Sequence, residues 1–193
     1  MNGLNVSAKK DTFVMNKKKL MRFMMIIREY RPADCPLLAQ LFYDTVHTVN
    51  AKDYAEDQLD AWATGDVDLE EWNRSFLTHT ALVAVWDGVV AVVAGFADMD
   101  RNGYLDRLFV HKDYQGKGLA TALVKELERR AIDKNVVSFE TYTSITAKPF
   151  FEKLGYSVQA ENITIRGDIS LSNFQMTKVY RKATRLWNCK QSD

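Results

Sequence analysis

The chain has 193 residues, 47% hydrophobic and 26% charged, the balance of one globular domain able to bury a substantial core. A formal net charge of +1 gives no global field for a polyanion, so no nucleic-acid role is expected, and no apolar run approaches the roughly 20 residues that cross a bilayer. Cys35 and Cys189 have neither paired nor ligand-like spacing, which argues against a disulfide framework or a metal site and suits a reducing, cytoplasmic compartment.

Near the start, Lys17-Lys18-Lys19 followed by LMRFMMII imitates a signal peptide, but Arg22 interrupts the apolar run and no small-residue cleavage pattern follows. Residues 1–24 are expected to be a disordered leader, 25–181 the folded domain and 182–193 a polar tail. IIREYR (26–31) alternates as a strand, and Pro32-Ala33-Asp34 leads into a helix with Pro36 in its first turn. Leu37, Leu38, Leu41, Phe42, Thr45 and Val46 give that helix one apolar face. Further helical pieces follow around 55–63, with Leu59 and Trp62, and around 69–77, with Leu69, Trp72 and Phe76.

Thr80 to Trp86 and Val89 to Phe96 are apolar and β-branched on either side of Asp87-Gly88, the signature of an antiparallel hairpin. The turn at Asp100–Gly103 returns the chain into a third strand, Tyr104 to Val110. After a glycine loop, Leu119, Leu123, Leu127 and Ala131 recur at i, i+4 steps, which predicts a helix lying on the sheet. Val136 to Thr141 reads as a strand and Ala147 to Leu154 as a short helix stopped by Gly155. Tyr156 to Ala160 and Ser172 to Tyr180 are two more strands, joined through 163–169. The order is β-α-α-β-β-β-α-β-α-β-β, an α/β (α+β) architecture with a mixed central sheet.

In the glycine loop, Gly116 and Gly118 allow a tight turn, and the helix that follows leaves its first N–H groups unpaired at the positive end of its dipole. With Lys112 and Lys117 beside it, this is a cradle for a diphosphate; an ordinary strand-to-helix turn fits the two glycines equally well. Neither G-x-x-x-x-G-K-S/T nor G-x-G-x-x-G is present, so the common nucleotide loops do not apply.

The stretch LFVHKDYQGKGLATALV resembles the acetyl-CoA motif of the GNAT N-acetyltransferase superfamily, Q/R-x-x-G-x-G/A, with Gln115, Gly118 and Ala120 at its fixed positions. SITAKPFFEKLGYSV (144–158) resembles the helix and strand that follow in that family, and TVHTVNAKDYAEDQLDAWA looks like one bacterial subgroup of small GNAT proteins. The likeness covers about Ile26 to Tyr180. It implies acetyl-CoA as cofactor, CoA as product, and direct transfer of the acetyl group to the primary amine of a small molecule. The pantetheine arm would enter a gap beside the backbone of Leu108, Phe109 and Val110, with the Val110 N–H polarising the thioester carbonyl. The pyrophosphate would rest on Gln115, Gly116, Lys117, Gly118, Leu119 and Ala120, and Ser144 and Phe151 would line the arm.

Phe151 stands where the family commonly has a tyrosine acid, so Tyr142 and Tyr156 become the candidate donors. Asp106 and Glu140 are the candidate bases, Asp106 lying two positions before Leu108 on what alternation makes the same strand face. Asp44, His47, Tyr54 and Trp62 are the candidate acceptor-site residues, and no metal is expected. Two rivals remain open: a CoA-binding module without transfer, which Phe151 favours, and acetylation of a protein amine. A monomer or a homodimer paired through the last strands fits equally.

Overall fold

The computed structural model describes residues 24–87 and 91–180. The expected leader apart from Met24, the Gly88 turn and the expected tail lie outside them. The described residues form β1 (Met24–Glu29), α1 (Cys35–Val49), α2 (Glu56–Trp62), α3 (Leu69–Thr78), β2 (Thr80–Asp87), β3 (Val92–Met99) and β4 (Leu105–Val110). They continue through α4 (Leu119–Asp133), β5 (Ser138–Ser144), α5 (Lys148–Lys153), β6 (Ser157–Arg166) and β7 (Ile169–Val179). Short 3-10 turns at Pro32–Asp34 and Lys112–Tyr114 lead toward α1 and α4.

This is the expected mixed α/β architecture with three adjustments. All three helical pieces read between β1 and β2 are present, one more than the β-α-α-β order counts. β6 continues to Arg166, because Ile163 and Ile165 alternate with polar residues at the period of a strand. The strands divide into two antiparallel sheets, ordered β1-β2-β3-β4 and β5-β7-β6. The sheets meet where Tyr104 and Glu140 form an isolated parallel bridge, with the Glu140 N–H donating to Gly103 O at 3.1 Å. Only glycine fits at position 103. Its φ is +95°, and a Cβ there would fall on Ser138 O and 2.8 Å from Val136 Cγ1.

The first sheet is covered on both faces, which is why ALVAV in β2 reads as an unbroken apolar run. Leu82 and Ala84 enter a core with Leu119, Leu123, Leu127 and Ala131 of α4 and Phe151 of α5. Ala81 and Val83 point to the opposite core, with Leu38, Leu41, Phe42 and Val46 of α1 and Phe76 of α3. Leu37, expected on the buried face of α1, is exposed.

Candidate active site

β4 is the element from which the site is built. Its partners on β3 are Asp98 for Arg107 but Met99 for Leu105, so Asp106 is an extra, unpaired residue: a β-bulge. The bulge overturns the simple alternation. Leu108 packs toward the α4 core, whereas Asp106 lies with Arg107 on the α3 side, its carboxylate within 4.8 Å of ligand atoms of Asp98 and His79. Beyond the Tyr104–Glu140 bridge β4 and β5 share no ladder and part from one another.

The backbone of β4 therefore has a free side. His111 donates its N–H to Ala94 O across the ladder with β3. Alternation then turns the N–H groups of Val110 and Leu108 away from β3, toward the gap, while Phe109 uses its backbone within the sheet. Phe109 instead contributes its ring, packed edge-on against Phe42 at 4.9 Å. The Val110 carbonyl accepts from Thr45 Oγ1 at 3.4 Å and from Gln115 Nε2, so Gln115 ties the loop to the strand.

Gly118 is the N-cap of α4 with φ +85°, and Gly116 has φ +70°. A Cβ on either would meet nothing within 4 Å, so what these glycines supply is the left-handed backbone and an open approach. No side chain caps the N-terminus of α4, so its first N–H groups face outward beside the gap. A phosphate group fits such a cradle.

A cavity of about 940 Å³ runs from this helix end through the gap. Of the expected cofactor residues it is lined by Leu108, Phe109, Val110, Gln115, Gly116, Gly118, Leu119, Ala120, Ser144 and Phe151; of the others, by Asp106, Tyr142 and Trp62. Lys117 is not at its wall. Its ammonium sits over the Tyr114 ring at 4.7 Å and the Trp86 ring at 5.2 Å.

The remaining candidates are held elsewhere. Tyr156 is buried with its hydroxyl donating to Glu128 Oε1 at 2.9 Å, and that carboxylate also accepts from Lys178 Nζ at 2.7 Å. Burial and the Glu128 carboxylate both push this phenol far above its ordinary value, which makes it a poor proton donor at neutral pH. Glu140 accepts from Gln175 Nε2 at 2.6 Å away from the cavity. Tyr54 is a structural link, donating to Ser172 O at 2.7 Å and accepting from Ile145 N at 2.9 Å. His47 stacks on Tyr43 and contacts Asp60 at 3.2 Å, and Asp44 accepts from Gln40 at 2.9 Å. The face of α1 that does reach the cavity is Phe42, Thr45 and Val49, at three-to-four spacing.

Asp98 is fully buried in β3 and receives Arg107 Nε at 2.9 Å, Arg107 Nη2 at 2.8 Å and His79 Nδ1 at 2.6 Å. The Arg107 guanidinium lies 4.1 Å from the Phe76 ring centroid and 5.1 Å from that of Trp72, two rings packed edge to face, and it lines the cavity. Desolvation, followed by the Asp98 charge, raises the Asp106 carboxyl above the usual carboxylate range; Arg107 opposes this from 3.4 Å. A carboxylate inside the apolar run FADM was the signal for this network, because such a group requires a buried partner. Asn50 and Thr143 also line the cavity without having been singled out from sequence. Asn50 Nδ2 donates to Ser144 Oγ at 3.4 Å, whereas the Thr143 hydroxyl is buried with no hydrogen-bond partner among the described residues.

The family model of the acetyltransferase (GNAT) domain matches residues 50–178. The chain belongs to the GNAT acetyltransferase family. Its relatives include the uncharacterized N-acetyltransferase YafP of Escherichia coli, 32% identical over 151 residues, 78% of this chain and 93% of the relative. A GCN5-related N-acetyltransferase from Rhodopseudomonas palustris superposes with a TM-score of 0.75 at 30% identity, covering 80% of this chain and 94% of that one. The PaiA N-acetyltransferase of Thermoplasma acidophilum, solved in complex with coenzyme A, has the same fold at a TM-score of 0.68 and 20% identity over 81% of this chain and 99% of its own. Within this GNAT chain no helix among the described residues is long and apolar enough to cross a membrane.

Proposed function

We propose that this GNAT acetyltransferase moves an acetyl group from acetyl-CoA to the primary amine of a small molecule by direct attack. The observation that carries the reading is one continuous cavity. Its wall carries the α4 N-terminus and the gap-facing amides of β4, and with them Asp66, Asp68, Glu71 and Asp106 against the cations Arg107 and Arg166. Acetyl-CoA supplies an activated thioester. The chain supplies the grip: the first amides of α4 and the open Gly116–Gly118 turn hold the pyrophosphate, and the free edge of β4 bonds the pantetheine amides as an added strand would.

Asp106 takes the proton lost by the attacking nitrogen, and its raised basicity suits that task. Leu108 is the first gap-facing N–H after Asp106, so it donates to the carbonyl oxygen as negative charge develops there. Val110, the donor that the family resemblance implies, donates nearer the cofactor loop. The four carboxylates, twice the number of the lining arginines, attract an amine in its cationic form, and Trp62, Trp72 and Phe109 wall its apolar part.

The test is thiol release from acetyl-CoA over a panel of mono- and polyamines, with N-acetylated peptides presenting a lysine as the contrast. Release with a small amine supports the reading. Tight CoA binding with no release across the panel would instead identify a CoA-binding module.

A further inference from the structure

Direct transfer has to stabilise a departing thiolate, and Phe151 offers no hydrogen to it. Thr143 does. It lies on β5, and alternation places its side chain on the inward face shared with Phe139, which packs in the same core as Phe151. The residue is 3% exposed, lines the cavity, and its Oγ1 is buried without a hydrogen-bond partner among the described residues. A hydroxyl left in that state costs free energy, about 1–3 kcal/mol, which a ligand in the cavity can return. A single staggered step about χ1 carries the hydroxyl to the position that the methyl now holds.

The register gives the partner. Counting along both strands from the Tyr104–Glu140 bridge, and allowing for the bulged Asp106, Thr143 comes level with Leu108 across the gap. Leu108 is the amide assigned above to the thioester carbonyl, so the thioester, with its sulfur next to that carbonyl, falls opposite Thr143. Three other hydroxyls of this strand line the cavity: Tyr142 is 44% exposed, on the opposite strand face, with its ring against Tyr104; Ser144 Oγ already accepts from Asn50 Nδ2 and Ala147 N; and Thr141 is two residues nearer the bridge, level with Leu105.

We propose that the Thr143 hydroxyl donates a hydrogen bond to the sulfur of acetyl-CoA, replacing the phenol that position 151 lacks; the proposal rests on the acetyl-transfer reading. The C–N bond forms from the amine lone pair, and the C–S bond breaks with its electron pair on sulfur. The proton lost by nitrogen goes to Asp106. Thr143 holds the thiolate, which then takes a proton from solvent; a thiol with an ordinary value near 8.5 needs a hydrogen bond more than a strong acid.

The contact is measurable without knowing the amine. CoA and desulfo-CoA, which lacks the thiol, are titrated into the wild-type protein and Thr143→Val, a change that removes the hydroxyl and keeps the shape. Thr143→Val is expected to lose about fivefold in affinity for CoA and less than twofold for desulfo-CoA, with Thr143→Ser recovering the difference and Tyr142→Phe not altering it. The ligand-free Thr143→Val protein is expected to melt no lower than wild type, because no bond is lost. Equal affinity changes for the two ligands, or a valine variant that melts several degrees lower, would overturn the proposal. Wild-type protein that binds neither ligand would sink the acetyl-CoA reading itself, and this assignment with it.

Discussion

Gly118 and Gln115 separate two ways in which a residue can matter to one loop. Gly118 holds φ +85° with empty space where a Cβ would be, so Gly118→Val meets no clash and instead carries roughly 1–2 kcal/mol of backbone strain. That strain turns the α4 amides away from a phosphate, and CoA affinity measured by calorimetry should fall about tenfold or more. Gln115→Ala loses the bond to the Val110 carbonyl but leaves those amides in place, and about a threefold loss is expected. Equal losses would contradict the backbone account. Asp106 makes a different prediction: as a base it must be deprotonated, so thiol release should rise with pH through a value above the ordinary carboxylate range. Asp106→Asn should lower kcat roughly 100-fold and abolish that limb. The turn itself was legible in the sequence because Gly116 and Gly118 hold left-handed backbone there. His47 and Tyr54 misled because polarity near an expected loop says nothing of direction: the three-to-four spacing of Phe42, Thr45 and Val49 selects the cavity face of α1, and His47 is not on it.

At the scale of elements, the order of strands and helices followed from periodicity and turns, whereas the bulge at Asp106 did not. Alternation assigned Asp106 to the face of Leu108, and a single unpaired residue moved it to the face of Arg107. No sequence pattern in LDRLFV announces it. β6 was read short for a related reason, since its Ile163 and Ile165 are exposed and carry the strand period without a buried face. The pairing of α4 with β6 and β7 yields a prediction about chemistry that does not happen. Tyr156, Glu128 and Lys178 form a buried cluster joining those elements, so Tyr156→Phe should lower unfolding free energy by about 1–3 kcal/mol while kcat stays within about twofold of wild type. A large loss of kcat at unchanged stability would return Tyr156 to the chemistry.

For the molecule as a whole, the buried Asp98 network couples the end of α3 to β3 and β4, and it gives stability a dependence on pH. The hydrogen bond to Asp98 is the largest influence raising the His79 imidazole above its ordinary value near 6.5; burial opposes it. Its contribution is therefore fully present below about pH 6.5 and is lost as pH rises through the higher folded value. Denaturant midpoints measured across that window should decline more steeply for wild type than for His79→Leu.

The cavity threads between two sheets and touches both cores, Leu119 and Phe151 on one side of the first sheet, Phe42 and Trp72 on the other. An acetyl donor held along the first core and an acceptor held along the second would both be bound at once. Addition is then sequential, with both substrates bound before either product leaves. Initial-velocity lines should intersect, and CoA should compete with acetyl-CoA while being noncompetitive toward the amine. Parallel lines would mean that CoA leaves before the amine binds, which requires an acetylated enzyme and contradicts direct attack.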